Sequence, residues 1–356
     1  MIIPRHNKSR VFLGRSFSKW LLAYSATVCA SIGFAATEEP DLESLSSDER
    51  YNLCILRSVD IAGEGVTVQE IKDNCLRLET MNEVEVPKRI VVEKATEDNR
   101  FIITAHRQNY ILPFSYMDSP NQDAYEGVDF YPGVENPIEN EEVKLQLSLK
   151  VPLSYSSLLV PNDTIYFGFT LKSFWQFYAS DISSPFRETN YRPEIYYEAP
   201  IPASLWGGTL LTRIGIEHES NGRGGDLSRS WNRVFAGLGF AKNDWGVYIQ
   251  PWYRIPEDEK ENDDDPEGDD NPDINKYMGY YEVHGVYRLD EDYEFTGGFR
   301  YNWATGFGAV ETGLSFPLWG RLRGFAQYFH GYGESLIDYD HKVHRFGLGV
   351  ILTDIL

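Results

Sequence analysis

From Val143 to Leu153 the odd positions are Val143, Leu145, Leu147, Leu149, Val151 and Leu153, while Lys144, Gln146, Ser148 and Lys150 lie between them. Successive side chains of a β-strand point to opposite faces, so this segment has one greasy face and one charged face. The same period runs through Tyr293 to Trp303, where Phe295, Phe299 and Tyr301 oppose Glu294, Arg300 and Asn302. Trp245 to Tyr253 and Tyr277 to Tyr287 repeat it, the latter setting Tyr281 and Val283 against Glu282 and His284. A soluble β-sandwich also alternates, so the question is which face is buried. Here the polar face carries full charges (Lys144, Lys150, Arg213, Glu217, Arg233, Glu282, Arg300, Glu311), and the apolar face keeps aromatics toward strand ends, such as Trp175, Trp245 and Trp303. Lipid outside, a polar interior and aromatic girdles at both interfaces describe a membrane barrel.

About twelve such segments begin near Phe101, Val143, Thr164, Tyr191, Gly208, Ser228, Asp244, Lys276, Asp292, Gly306, Leu322 and Arg345. With both ends in the periplasm, the outward connections are the long ones: Asp118 to Glu141, Tyr178 to Asn190, Pro256 to Asn275 and Tyr332 to His344. The inward ones, such as Lys242-Asn243 and Trp319-Gly320, are brief. The fold predicted for residues 96–356 is therefore all-β, a twelve-stranded antiparallel transmembrane β-barrel. No window apart from the N-terminal run approaches the ~20 apolar residues of a membrane-spanning helix. The mean hydropathy of -0.40 alone would suggest a soluble chain, but the 14% aromatic content and the alternation point to a barrel. A formal net charge of -21 makes nucleic acid an unsuitable partner.

The N-terminus reads as a secretory signal over residues 1–35: Arg5, Lys8, Arg10, Arg15 and Lys19 precede an apolar run from Trp20 to Phe34, with Gly33-Phe34-Ala35 at the cleavage site. Val28 before Cys29 does not fit a lipoprotein site. Residues 36–95 read as a small helical module, periplasmic in this topology, in which Ser46-x-x-Glu49 and Thr67-x-x-Glu70 have the form of capping boxes. Its two helices carry Cys54 and Cys75, and in an oxidising compartment a disulfide between them is expected.

The segment Leu211 to Ser220 places Thr212, Ile214 and Ile216 on one face, and His218 and Ser220 continue that row. From Ser228 to Phe240 the row is Val234, Ala236, Leu238 and Phe240, with Asn232 at its head. A serine hydroxyl attacks an ester when a neighbouring base takes its proton and a third group fixes the base. His218 is the candidate base, Ser220 the nucleophile and Asn232 the orienting group; the alternative is a rim histidine bonded to hydroxyls. Groups suited to nucleophilic catalysis on a greasy face suit a lipid substrate. The turn Asn221 to Ser228 follows, in which the Gly222 amide can donate to an oxyanion and the oxygen-rich residues suit a hard cation such as Ca²⁺. The acidic stretch Pro256 to Asn275 imitates a calcium loop at Asp263, Asp265, Glu267 and Gly268, but Ile274 stands where the closing glutamate belongs, so it reads as a solvated external loop.

The runs His218 to Arg223 (HESNGR), Ser228 to Arg233 (SRSWNR), Ser183 to Tyr191 (SSPFRETNY), Asn271 to Tyr281 (NPDINKYMGYY) and Gly331 to Tyr339 (GYGESLIDY) resemble the bacterial outer-membrane phospholipase A family. The resemblance covers Phe101 to Leu356 and implies a twelve-stranded barrel that hydrolyses phospholipid acyl esters in the outer leaflet, activated by calcium and dimerisation. It implies Ser220 as nucleophile, His218 as base, Asn232 as orienting group and Gly222 as oxyanion donor. Calcium would take the side chain of Ser228, the carbonyl of Arg223 and that of Ser183 of the partner subunit. Two departures stand out. Leu171, in the row Phe167, Phe169, Leu171 and Ser173, occupies the place of a glutamine that ties two barrels together, so a homodimer here must rest on packing or be weaker. The acidic residue of Gly224-Gly225-Asp226 comes one place late. A lipid A deacylase would use fewer strands and a carboxylate as third member; a passive channel would need an open lumen.

Overall fold

The alternation becomes a closed hydrogen-bonded ladder in the computed structural model, which describes residues 47–61, 67–69, 71–72, 75–76, 103–125, 137–154, 157–260, 268–290, 292–320 and 322–353. Residues 1–35, read as a signal sequence, and most of residues 36–95, read as a helical module, lie outside the described residues, as do Asp263, Asp265 and Glu267. Two compact units are distinguished, Met1–Arg50 and Tyr51–Leu356. The described part of the first is the start of helix α1 (Ser47–Ile61). The second contains the rest of α1, where Cys54 is joined to Cys75 in the expected disulfide with Cα atoms 5.7 Å apart, and the entire sheet.

A two-residue bridge, β1 (Thr104–Ala105), precedes β2 (Asn109–Met117), β3 (Glu141–Pro152), β4 (Thr164–Trp175), β5 (Phe186–Leu205), β6 (Gly208–Ser220) and β7 (Ser230–Lys242). Then come β8 (Trp245–Ile255), a short helix α2 (Ile274–Met278), β9 (Tyr281–Arg288), β10 (Glu294–Tyr301), β11 (Gly308–Trp319), β12 (Leu322–Tyr332) and β13 (Lys342–Thr353). Every strand from β2 on pairs antiparallel with its sequence neighbours, and β13 pairs back onto β2, so twelve staves close without an edge. The connections β5–β6 and β7–β8 are two residues each, whereas those before β3 (118–140) and β9 (256–280), at the opposite end of the strands, are the longest. Trp206 and Gly207, which join β5 to β6, both have positive φ (51° and 79°), the conformation of a two-residue type I′ turn. Trp206, Trp245, Tyr287, Tyr293 and Trp319 are exposed toward the short-turn end; Phe177, Tyr178, Phe186, Tyr253 and Trp303 are exposed toward the other. These are the two aromatic girdles.

Three strand starts differ from the sequence reading. The first stave begins at Asn109 rather than near Phe101, because the chain leaves the ladder at His106 and Arg107, whose side chains reach Glu194 Oε1 at 2.8 and 3.0 Å inside the barrel. The fourth begins at Phe186, five residues before Tyr191, because Arg187, Glu188 and Asn190 are held in the lumen. Lys276 belongs to α2: Ile274 and Met278, four residues apart on one helical face, are buried, and Gly279 at φ 71° turns the chain toward β9.

The interior is filled by paired charge. Arg187 meets Glu142 at 2.9 Å and Asp338 at 2.9 Å; Arg345 meets Glu334 and Glu142 at 2.7 Å each; Lys144 meets Glu334 at 2.8 Å, and all six are buried. Arg192 and Arg233 clasp Glu217, and Arg213 meets Glu198 at 2.7 Å. The connection 333–341 folds into the lumen rather than outward. Leu336 belongs to a buried cluster that includes Tyr166, Tyr196, Trp231, Phe235 and Trp252, and its amide donates to Asn190 Oδ1 at 3.1 Å. Among the described residues no helix is long and apolar enough to cross a membrane. The strands carry the apolar surface.

Candidate active site

On β6 and β7 burial alternates with the sequence. Ile214 and Ile216 are each 56% exposed, Val234 is 40% and Leu238 46%, whereas Glu217 and Arg233 are 3% exposed. His218 and Ser220 continue the Ile214 and Ile216 row, and Asn232 continues the Val234 row, because residues two apart share a face. The antiparallel register sets His218 directly opposite Asn232. Ser220 faces Ser230 on one side and Tyr191 of β5 on the other. The three residues proposed from sequence therefore lie on adjacent strands along the barrel's apolar outer row, at the end of β6 beside the turn 221–229, with His218 and Asn232 in contact.

His218 Nδ1 and Asn232 Oδ1 are 2.9 Å apart. A carbonyl oxygen only accepts, so Nδ1 carries the proton and, in the neutral ring, Nε2 keeps its lone pair on the side away from Asn232. The amide of Asn232 is fixed from its other end: Nδ2 donates to Glu257 Oε1 at 2.9 Å, and a carboxylate accepts only. Among the described residues His218 and Ser220 share no hydrogen bond. Such bonds are often loose before substrate binds and tighten with it.

Gly222 has φ 66°, where a side chain would be strained, and its added Cβ would come within 3.4 Å of the Tyr191 ring. Its amide makes no hydrogen bond among the described residues, as an oxyanion donor requires. The turn is held by buried Asn221, whose Oδ1 accepts the amides of Arg223 (3.2 Å) and Arg229 (3.0 Å), while Nδ2 donates to the Leu227 carbonyl at 2.7 Å. The Arg223 guanidinium in turn donates to the carbonyls of Phe186 (3.0 Å) and Arg187 (2.5 Å) on β5.

The proposed calcium donors are placed separately. Ser228 lines a cavity of about 530 Å³ with Asp226, Glu257, Glu259, Asp269 and Asp270, and its Oγ donates to Asp270 Oδ2 at 2.6 Å. Lys260 balances Asp270 at 2.6 Å. Hydroxyl, carboxylate and carbonyl oxygens are the donors a hard cation takes, so this set fits calcium. Arg223 borders the same turn but not that cavity, and Ser183 stands in the left-handed region (φ 64°) on the 3-10 turn before β5. Among the described residues no cluster of three or more His, Cys, Asp or Glu could hold a metal by itself.

In the stretch 256–275, Pro256, Asp258 and Glu259 are exposed as expected of an external loop, residues 261–267 lie outside the described residues, and other positions make contacts the sequence did not show. Its described residues grip the rim: Glu257 holds Asn232, Asp269 holds Arg254 at 2.5 Å, and Asn271 Oδ1 accepts the Ser230 amide at 3.0 Å. The sequence reading missed Asn221 and Glu257. Register would have found the second: Ile255 pairs with Asn232, and Glu257 lies two residues on.

A protein-family model described as Phospholipase A1 matches residues 86–352. Phospholipase A1 of Klebsiella pneumoniae is 39% identical over 259 residues, covering 72% of this chain and 85% of the relative. A putative phospholipase A1 of Neisseria meningitidis is 35% identical over 314 residues, covering 82% and 78%. Among solved structures, outer membrane phospholipase A from Escherichia coli, known also as an active-site variant with alanine in place of an asparagine, superposes with a TM-score of 0.65 at 38% identity, covering 73% of this chain and 95% of that one. The Salmonella typhi outer membrane phospholipase dimer with bound calcium does so at 0.65 and 39%, with the same coverage. This chain belongs to the phospholipase A1 family.

Proposed function

We propose that this protein is a calcium-dependent phospholipase A of the bacterial outer membrane, releasing fatty acid and lysophospholipid through an acyl-enzyme on Ser220. The observation that carries this reading is the 2.9 Å His218–Asn232 bond on the apolar outer row, two residues from a serine. Ser220 Oγ attacks the acyl carbonyl as His218 Nε2 takes its proton, and the Gly222 amide receives the developing oxyanion. Collapse breaks the ester C–O bond, His218 returns the proton to the departing glycerol oxygen, and the same base then activates water against the acyl-serine. Bound calcium would add positive charge near the oxyanion, held by Ser228, the Arg223 carbonyl and Ser183 of the partner subunit. Asn232 orients the ring without a charge of its own.

The long connections at the Ser220 end support an active site facing the cell exterior, with residues 1–35 as signal peptide and 36–95 as a periplasmic helical module. Dimerisation would use packing around Leu171, which lies between Leu147 and Tyr191 on the outer face. The charge-filled lumen argues against a passive channel. The test uses purified protein in detergent with a defined phospholipid, with and without Ca²⁺. Ser220→Ala abolishes product while the barrel stays folded and heat-modifiable on gels, and chelation stops the wild type. Turnover by Ser220→Ala removes Ser220 from the mechanism; indifference to chelation removes Ser228 and Arg223 from any metal role.

A further inference from the structure

Asn232 is gripped on two sides, and the second grip comes from a segment the triad reading does not use. β8 ends at Ile255, the cross-strand neighbour of Asn232. Ile255 is exposed on the outer row, and two residues later Glu257 stands above the same face, its Oε1 2.9 Å from Asn232 Nδ2. His218, Asn232 and Glu257 thus form one line of hydrogen bonds from β6 across β7 to the segment just beyond β8.

We infer that Glu257 is a positioning residue of the hydrolytic site, a fourth member that fixes the Asn232 amide and lends it the negative charge an asparagine lacks. The inference rests on the triad reading above. An asparagine can present either its oxygen or its nitrogen to a histidine; only the oxygen holds Nδ1–H and leaves Nε2 free as a base. A carboxylate facing Nδ2 excludes the flipped amide, since two acceptors would then meet and the amide N–H would point at the imidazole N–H. Hydrogen bonds in a chain polarise one another, so a charged acceptor on Nδ2 makes Oδ1 a stronger acceptor for Nδ1–H. As Ser220 yields its proton, the imidazolium that forms is stabilised through the amide by Glu257. The charge is relayed as polarisation, with no proton leaving Asn232.

Glu257 also lines the cavity that contains Ser228 and Asp270, so a role in calcium retention is the competing assignment. The two separate in kinetics. With purified full-length protein in detergent, saturating Ca²⁺ and a short-chain phosphatidylcholine, Glu257→Ala lowers kcat by roughly tenfold or more with KM within about twofold, the size of losing a hydrogen bond to a charged group. Glu257→Gln keeps an acceptor but no charge and falls between the variant and the wild type. In an Asn232→Ala background, Glu257→Ala has no further effect. Asn232→Asp sets two carboxylates against each other and is poorly active; adding Glu257→Gln restores a donor to that contact and raises kcat above Asn232→Asp alone. Heat-modifiable mobility checks that each variant is folded. Wild-type kcat in both Glu257 variants, a change confined to the Ca²⁺ concentration needed for activation, or an undiminished effect of Glu257→Ala without Asn232 each overturns the inference. Ser220→Ala is run alongside: if it is inactive while the Glu257 variants are unaffected, the triad stands and only the role of Glu257 falls.

Discussion

Replacing Arg345 by methionine tests whether the lumen is a dry, paired plug or a hydrated pore. Arg345 is 2% exposed, and its guanidinium touches Glu334 and Glu142 at 2.7 Å each and Ser115 Oγ at 3.1 Å. Around it Lys144, Arg187 and Arg345 face Glu142, Glu334 and Asp338, three charges against three. Glu311, 3.6 Å from Lys144, is 37% exposed and screened by water, so it changes this balance little. Methionine has the length to lie over Phe174 but leaves one buried negative charge uncompensated. Breaking a buried pair on one side costs about 3–5 kcal/mol, and because Glu334 keeps Lys144 and Glu142 keeps Arg187, the lower end of that range is expected here. Neutralising the excess should restore most of the loss, so Arg345→Met with Glu334→Gln is more stable than Arg345→Met alone. The assay is reversible urea unfolding in lipid vesicles followed by tryptophan fluorescence. A change below about 0.5 kcal/mol for Arg345→Met, the size of a surface substitution, would mean the cluster is bathed in water and the plugged-lumen argument is wrong.

Ile214 lies six residues from either end of β6 on the exposed row, close to the bilayer midplane. Ile214→Arg should destabilise the barrel in vesicles by about 2–4 kcal/mol, against near zero for a water-exposed site; the same urea assay reads it. At the short-turn end, desolvation pushes the Asp163 carboxyl up, but the amide of Val160, the Tyr197 hydroxyl and the amides of Leu159 and Leu158 outweigh it and hold the group well below the ordinary carboxylate range. A depressed folded pKa adds stability that is fully present above the unfolded value of about 3.9 and is lost as pH falls through the folded one. The stability gap between wild type and Asp163→Asn should therefore be full at pH 7 and shrink on acidification below about pH 4; a gap independent of pH rules out that linkage.

The staves and the common row of His218, Ser220 and their neighbour Asn232 were legible because both rest on period-two alternation, which a single chain displays locally. Lys144, Ser148 and Lys150 are buried and Leu147 is exposed, as Val143 to Leu153 implied. The starts at Asn109, Phe186 and Tyr281 were not, because each is set by a tertiary contact: His106 and Arg107 on Glu194, Arg187 on Glu142, and Ile274 with Met278 in the aromatic core. The connection Tyr332 to His344 was assigned outward from its length and place in the topology. It is drawn inward by Glu334 and Asp338, which complete charge pairs with residues more than 140 positions away, such as Lys144 (190 apart) and Arg187 (151 apart). Glu257 was hidden within an acidic run whose composition suggested solvation; only the pairing of Ile255 with Asn232 identifies it.

The central claim is that the hydrolytic residues share the lipid-facing row of β6. Single fluorescent labels scanned through residues 212 to 220 in vesicles containing brominated lipid measure this directly. The account predicts quenching that alternates with period two, strong at Ile214, Ile216 and His218 and weak at Arg213, Gly215 and Glu217. Strong quenching at Gly215 and Glu217, with Ile214 and Ile216 in water, would contradict it.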